Sequence, residues 1–232
     1  MKKILLLALL ALSSAPAAFA QARAGGELSS KDYTGGGSTD SRNTGFGIKA
    51  GYNLNSLRGD DLKDAANATL NYSARNDFHA GLYGQFGFNN FASVQVEALY
   101  SRQGFTTEPS VGNQHYRMDY LSVPVMFVGN VTETISFHVG PQISLLTKVR
   151  NEDTDKDLDI DAYNFNSLDY GGVAGVEARL GPARVGARYN LGLGKIFGDG
   201  TSIEVTSPGY ANKDKAIYNN MFQVYVGIGI TQ

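Results

Sequence analysis

The sequence contains no cysteine. This absence excludes a disulfide framework, a thiol nucleophile and a lipid-modified cysteine behind a cleavage site. Long hydrophobic runs are missing too, because no window beyond the N-terminal segment reaches the roughly 18 apolar residues of a transmembrane helix. Basic residues are not in excess, and the formal net charge of −2 argues against a nucleic-acid partner. If a membrane holds this chain, it must do so through a closed β-barrel, whose backbone groups pair between strands.

The N-terminal segment, residues 1–20, is typical of a secretory signal peptide. Two lysines precede a short apolar run, and the segment closes on the small-x-small pattern Ala18-Phe19-Ala20, which predicts cleavage before Gln21. Residues 21–43 are rich in glycine, serine and threonine and contain hardly any apolar residue. Because such a segment buries too little surface to offset its ordering entropy, we expect a flexible leader there.

The remaining chain, residues 44–232, alternates apolar and polar residues with period two, the pattern of β-strands. The pattern predicts eight strands, at 44–57, 75–88, 91–107, 116–128, 131–148, 168–180, 183–197 and 217–231. Tight turns are expected at Asn89-Asn90, Gly129-Asn130 and Gly181-Pro182, and they alternate strictly with longer polar connections. Short turns at one end, long loops at the other and an even strand count indicate an all-β, antiparallel, up-and-down transmembrane barrel of the outer membrane.

The composition of the two strand faces indicates which face is inside. In the last predicted strand, Val224, Val226 and Ile228 alternate with glutamine, tyrosine and glycine. The polar face throughout is dominated by glycine, glutamine, serine and asparagine, whereas a soluble surface carries lysine and glutamate. We therefore expect the apolar face to contact lipid, with Leu191 and Leu193 on the same surface. The alternative is a soluble, lipocalin-like barrel with its apolar faces inward.

The same alternation directs six charged side chains into the lumen or to its inner rims: Lys49, Glu97, Glu177, Arg179, Arg184 and Arg188. Because buried charges need partners, Glu97 and Glu177 are expected to pair with Lys49, Arg179 or Arg188. On the hairpin that turns at Gly181-Pro182, Glu177 is expected near Gly186 and diagonal to both Arg188 and Arg184, within reach of these long side chains. A lumen filled with such pairs would conduct poorly. Aromatic residues near the strand ends fit the interfacial girdles of a barrel: Phe86, Phe88, Phe91, Phe127, Tyr100, Tyr170, Tyr189 and Phe197.

Four strings resemble the outer-membrane β-barrel "porin family" of Bacteroidota, the PorT-like proteins. They are GFGIKAGYNLNSL (45–57), YRMDYLSVPVMFVGN (116–130), FHVGPQISLLTKV (137–149) and LDYGGVAGVEARLGPARVGARYNLGLGKIF (168–197). The resemblance implies an eight-stranded barrel of the bacterial outer membrane, with some relatives tied to protein secretion at the cell surface. Despite the family label, it does not imply an open pore.

Two patterns suggest further chemistry. Ser136 and His138 lie on one face of a strand and, with Glu97 or Glu177, could form a hydrolase triad, although alternation points them into the lumen. The acidic stretch 152–161 places aspartates at alternate positions, as in a calcium loop. However, Leu158 stands where the loop needs glycine and Asn164 where it needs a bidentate glutamate. A solvated, self-repelling surface loop is the simpler interpretation.

These observations predict a non-enzymatic barrel in the outer membrane of a Gram-negative bacterium, without a cofactor, whose partners are the membrane lipid and the outer-membrane insertion machinery. Its role would be structural or recognitional, carried by the outer loops, with the lumen closed. The alternatives are a narrow porin-like solute channel and, beyond it, a secretion-associated barrel or a lipid-modifying enzyme. Glu–Arg pairs that cross the lumen would favour the structural or recognition role over the channel. A Ser–His pair that lipid can reach would favour the enzyme.

Overall fold

The computed structural model describes residues 43–58, 71–73, 75–89, 91–108, 114–160, 165–196 and 217–230. The predicted signal peptide and all but the last residue of the predicted leader lie outside this part of the chain. Within these ranges no helix is both long enough and apolar enough to cross a membrane.

The described chain forms a closed antiparallel β-barrel of eight long strands. Each long strand pairs with the next one along the chain, and the first pairs with the last from Phe46↔Ile230 to Arg58↔Tyr218, which closes the sheet. Two short strands extend this sheet, β2 beside β4 and β7 beside β6. The ten strands are β1 Gly45–Arg58, β2 Asn71–Ser73, β3 Arg75–Gly87, β4 Ala92–Glu108, β5 Gln114–Asn130, β6 Ile135–Asn151, β7 Lys156–Leu158, β8 Leu168–Leu180, β9 Ala183–Lys195 and β10 Tyr218–Ile230.

The eight predicted strands are confirmed, with their ends shifted by a few residues. One turn was wrong. Gly129 and Asn130 pair with Phe137 and Ser136 at the end of β5, and the turn lies at residues 131–134. Thr132 stabilises this turn, because its Oγ1 accepts the backbone N–H groups of residues 134 and 135. The turn between β8 and β9 is where predicted, and Gly181 there has a φ of 63°.

Burial alternates along the strands, with the apolar face outward. In β10, Val224, Val226 and Ile228 are exposed while Gln223 and Tyr225 are buried. Leu191 and Leu193 are exposed in the same way on β9. The soluble alternative with apolar faces inward is therefore wrong. The exposed apolar side chains of all eight strands form a continuous outer surface, which we call the apolar belt.

We call the end of the barrel that carries the long connections the loop end. There the wall formed by β4, β5 and β6, the tall wall, extends further than the opposite wall. Strands β4, β5 and β6 have 17 residues each, whereas β8, β9 and β10 have 13. A β-bulge in the tall wall changes the face that β6 presents. Asp119 pairs with Lys148 but Tyr120 pairs with Leu146, so Thr147 is the extra residue. Its Oγ1 donates to the Asp119 carbonyl at 2.8 Å. Beyond the bulge, Val149 is buried where unbroken alternation would have exposed it.

Candidate functional site

The lumen holds five of the six charged residues singled out from the sequence. Lys49, Glu97, Glu177, Arg184 and Arg188 are all buried inside the barrel. The sixth residue, Arg179, is half-buried at the end that carries the tight turns, the turn end, where its Nη1 donates to the Asn43 Oδ1 at 3.2 Å. Alternation along β1, β4, β8 and β9 places these side chains inside, because each is flanked by outward-facing apolar neighbours.

Glu97 lies between two cations in the middle of the lumen. Its Oε1 is 2.8 Å from the Lys49 Nζ, and its Oε2 accepts from the Arg188 Nη1 at 2.6 Å. Gln95 also donates to the Oε1, at 2.6 Å. The three charged side chains come from β1, β4 and β9, so they connect opposite walls of the barrel. Charge-assisted hydrogen bonds of this length are the strong ones.

Glu177 forms a second centre beside the first. Its Oε2 is 3.1 Å from the Lys49 Nζ and accepts from the Tyr225 hydroxyl at 3.0 Å. Its Oε1 is 3.1 Å from the Arg184 Nη1. The register of the β8–β9 hairpin is as expected, with Glu177 opposite Gly186. Of the two arginines expected diagonal to Glu177, Arg184 contacts it, whereas the expected contact with Arg188 is not formed because Arg188 reaches across the lumen to Glu97.

The three cations of this network outnumber its two carboxylates, and two tyrosine rings supply part of the missing negative potential. The Lys49 Nζ lies 4.3 Å from the Tyr225 ring centroid and 5.1 Å from that of Tyr83. Arg184 lies over Tyr83 at 4.6 Å and Arg188 over Tyr225 at 5.3 Å. Cation–π contacts of this kind strengthen when water is excluded. Sequence reasoning missed both tyrosines, although each stands on the polar face of its strand.

Glycines make the room that these rings need. A Cβ added at Gly47 would lie 2.6 Å from the Tyr83 ring, and one at Gly51 would lie 2.7 Å from the Tyr225 Cβ. Gly186 packs in the same way against the Tyr225 ring. These three inward glycines are therefore matched to aromatic rings on neighbouring strands, and the rings fill the space that the glycines leave.

A layer of amides lies on the loop-end side of the charge network. Gln223 accepts from the Arg188 Nε at 2.6 Å and from the Asn190 Nδ2 at 2.7 Å, and it donates to the Asn53 Oδ1 at 2.6 Å. That same Asn53 oxygen is 2.6 Å from the His79 Nδ1. These hydrogen bonds extend the buried polar network across β1, β3, β9 and β10.

Asn43 closes the turn end of the lumen. Its side chain is fully buried; the Nδ2 donates to the Asn89 carbonyl at 2.6 Å, and the Oδ1 accepts from the Asn130 Nδ2 at 2.7 Å. With the contact from Arg179, one side chain thus joins three separate points of the barrel rim. The sequence pattern placed Asn43 in the leader and gave no sign of this role.

An apolar cluster closes the loop end. Six buried side chains pack together there inside the tall wall: Met118, Tyr120, Leu146, Val149, Ile196 and Ile217. The cluster was not expected from the sequence, because the bulge at Thr147 turns Val149 to the inside, where it packs with Leu146. The adjacent leucines 145 and 146, which break strict alternation, are the signal that could have revealed it.

Ser136 and His138 do not have the geometry of a catalytic triad. The Ser136 Oγ is 3.1 Å from the His138 Nε2, but Glu177 approaches that same nitrogen, at 3.9 Å. A triad needs its carboxylate on the other ring nitrogen, and in the described part of the chain the His138 Nδ1 has no hydrogen-bond partner. Both side chains are buried in the lumen. In this structure they pack inside the lumen and hydrogen-bond to each other.

The acidic stretch after β6 pairs with basic residues instead of repelling itself. Glu152 binds Arg75 at 2.9 Å and Asp155 binds Arg150 at 2.6 Å. Hydrogen bonds from the His115 backbone and side chain lower the pKa of Asp153. The hydrogen bond from the ammonium of Lys148 likewise lowers the pKa of Asp157. Among the described residues no group of three or more histidine, aspartate or glutamate side chains could hold a metal ion; Asp161 and Asn164 lie outside them.

Comparison with known proteins gives one family match and several structural likenesses. Similar solved structures include Ail, the attachment invasion locus protein of Yersinia pestis, at 16% identity and a TM-score of 0.43, covering 81% of this chain and 99% of that one. Neisserial surface protein A gives 14% identity and a TM-score of 0.49, covering 80% and 97%. OprG from Pseudomonas aeruginosa gives 14% identity and a TM-score of 0.43, covering 82% and 97%. The comparison with curated proteins found no significant match.

The family match covers most of the chain. The model of the outer membrane protein beta-barrel domain matches residues 19–198, which include every long strand except β10. The closed barrel and its outward apolar belt agree with such a domain, in which the tight turns are periplasmic and the long loops extracellular. The chain therefore belongs to the outer membrane protein beta-barrel domain family, and its place is the bacterial outer membrane.

Proposed function

We propose that the protein is a non-conducting barrel that works at the cell surface through its loop end, in a structural or recognition role. The observation that carries this proposal is the filling of the lumen from one end to the other. Asn43 lies at the turn end, the Lys49–Glu97–Arg188 network in the middle and the apolar cluster of Met118 and Tyr120 at the loop end. Eight strands enclose just enough space for side chains, so we expect these layers to leave no continuous water path.

The charged layer is the main barrier to a narrow channel, the first alternative. An ion entering the lumen would have to displace salt bridges of 2.6 to 2.8 Å between side chains that are almost completely buried. Separating one member of such a buried pair costs on the order of 3–5 kcal/mol. The lipid-modifying alternative is opposed by the burial of Ser136 and His138 inside the lumen, away from the lipid.

The finer assignment to the PorT-like proteins is also part of this proposal. Its support is that the four sequence strings that resemble the family coincide with strands of the barrel. The most specific feature is the proline within YRMDYLSVPVMFVGN. Pro124 lies inside β5, and the pairing with β4 is interrupted between Val125 and Ser122, where the missing N–H of proline matters. A role in secretion would follow from this resemblance alone, so we rank it below surface recognition.

The test is current recording in planar bilayers with protein whose folding and insertion have been verified by heat-modifiable gel mobility. A closed lumen predicts no stable conductance steps. A 16-stranded porin recorded under the same conditions serves as the positive control. Steps of comparable size would overturn the proposal, and reproducible small currents from the inserted protein would favour the narrow channel.

A further inference from the structure

Four basic side chains project from the outside of the tall wall, just beyond the apolar belt. They are Arg102 on β4, Arg117 on β5, and Lys148 and Arg150 on β6, and we call them the outer basic cluster. Arg102 lies two residues after the exposed Tyr100 and therefore on the same face of β4. Arg117 lies four residues before the exposed Leu121 and therefore on the same face of β5. Lys148 and Arg150 face outward with them, because they pair with Asp119 and Arg117 across the strands.

The register of the cluster concentrates positive charge. Arg117 and Arg150 stand directly opposite each other on neighbouring strands, an arrangement that is destabilising for like charges. One row nearer the belt, Asp119 stands between Arg102 and Lys148. Asp119 accepts two hydrogen bonds from Arg117, at 2.9 and 2.7 Å, and lies 3.6 Å from the Arg102 Nε. The buried carboxylate of Asp119 is therefore shared between Arg117 and Arg102, two of the four cations of the cluster.

The cluster also lies at the depth of lipid headgroups. The Arg102 guanidinium lies over the ring of Phe78, 4.8 Å from its centroid, and Phe78 belongs to the exposed belt. The Arg117 Nη2 donates to the Tyr100 hydroxyl at 3.3 Å. Aromatic residues of this kind mark the interface between hydrocarbon and headgroups in a membrane barrel. We therefore expect guanidinium groups directly beyond them at the level of the outer-leaflet phosphates.

The remaining counter-charges of the cluster are weakly held. Lys148 contacts Asp157 at 2.9 Å, and Arg150 contacts Asp155 at 2.6 Å. The side chains of Asp155 and Asp157 are 81% and 59% exposed. Ion pairs that exposed are weak because water screens them, so another anion can replace these carboxylates without a large loss.

We propose that the outer basic cluster binds a phosphate group of an outer-leaflet lipid, and that Asp155 and Asp157 compete with this phosphate for Lys148 and Arg150. Arginine matches phosphate oxygens with two parallel N–H donors, and Lys148 adds a point charge beside it. The inference goes beyond the proposed function and is independent of it, because it concerns the outer wall and holds whether or not the lumen conducts.

The two halves of this proposal predict effects of opposite sign. The assay is binding of lipid A, with and without its phosphates, to folded protein in neutral detergent, followed by native mass spectrometry. Arg150→Gln should weaken binding of the phosphorylated form roughly fivefold, the effect of removing one basic residue near an anionic surface. Asp157→Asn should strengthen it, because Lys148 and Arg150 then lose a competing carboxylate.

Each variant has a matched control with the same change of charge. Arg58 faces outward on β1, three strands away from β5 around the barrel, so Arg58→Gln should leave binding unchanged. Glu152 pairs with Arg75 on β3, so Glu152→Gln should also have no effect. Every protein is first checked for its heat-modifiable mobility, and Asp157→Asn keeps the test valid if Arg150→Gln fails to fold.

Four outcomes would overturn the proposal. Equal losses for Arg150→Gln and Arg58→Gln would indicate attraction by overall charge without a site. Unchanged or weaker binding of phosphorylated lipid A by Asp157→Asn would show that Asp157 does not compete with the phosphate. Equal binding of phosphorylated and dephosphorylated lipid A would exclude phosphate recognition, and full displacement of the lipid by inorganic phosphate at similar concentration would mean that the site binds free phosphate instead of a lipid.

Discussion

Removing the charge of Glu97 is expected to destabilise the barrel more than any other single charge change in the lumen. Glu97→Gln keeps the size of the side chain but takes away the counter-ion of Lys49 and Arg188, which it contacts at 2.8 and 2.6 Å. Glu177 would then be the only carboxylate left for three buried cations. Leaving a buried charge without its partner costs about 3–5 kcal/mol. We expect a loss of this size in the free energy of unfolding.

A double-mutant cycle with Glu97→Gln and Arg188→Met separates the pair from the effects of each single change. Because the double variant removes both charges, it should recover part of the loss, and the two single losses should not add. The matched cycle combines Glu177→Gln with Arg188→Met. Its coupling should be clearly smaller, because Glu177 contacts Arg184 and Lys49 and not Arg188.

The measurement is urea-dependent unfolding in lipid vesicles, followed by the mobility difference between folded and unfolded protein on unheated gels. Equal coupling energies in the two cycles would refute the assignment of Arg188 to Glu97. Additive losses in the first cycle would refute the reasoning more deeply, since they would mean that water in the lumen screens these charges and that the interior is not closed.

Two further predictions concern the outer surface and a turn. Val226→Arg on the apolar belt should cost about 2–4 kcal/mol of folding free energy in vesicles. Val131→Arg in the β5–β6 turn should cost almost nothing, although the wild-type exposures are alike at 58% and 60%; equal effects would contradict the membrane depth of the belt. Gly181→Ala should cost about 1–2 kcal/mol, because its φ is 63°. Gly172→Ala, with open space around a new Cβ, should stay within about 0.5 kcal/mol in the same urea assay.

The strands could be predicted from the sequence because a two-residue period survives along nearly all of each one. Outward valines and isoleucines alternating with glycine and glutamine also fixed which face contacts lipid, as in the stretch from Phe222 to Ile230. The turn after β5 was misplaced, since Gly129 and Asn130 carry typical turn residues yet still pair with β6. Turn chemistry alone does not decide where a ladder ends when the next residues can continue it.

Contacts across the lumen were harder to predict than positions along a strand. The burial of Glu97, Glu177 and Arg188 follows from local alternation, but the choice between Arg184 and Arg188 as the partner of Glu177 depends on barrel curvature and side-chain reach. The apolar cluster at the loop end depends on one inserted residue, Thr147, which reverses the face of everything after it on β6. The adjacent leucines 145 and 146 signal that alternation breaks near this point, but they do not identify Thr147 as the inserted residue.

The position of Asn43 has a consequence for the order in which the barrel assembles. Its partners Asn89, Asn130 and Arg179 are 46, 87 and 136 residues away along the chain. The last of these contacts requires β8 to be in place, and contacts of such long range are among the last to repay their loop-closure entropy. Asn43 therefore completes its set of contacts only near the end of folding, and a spectroscopic label beside it would report completion of the barrel.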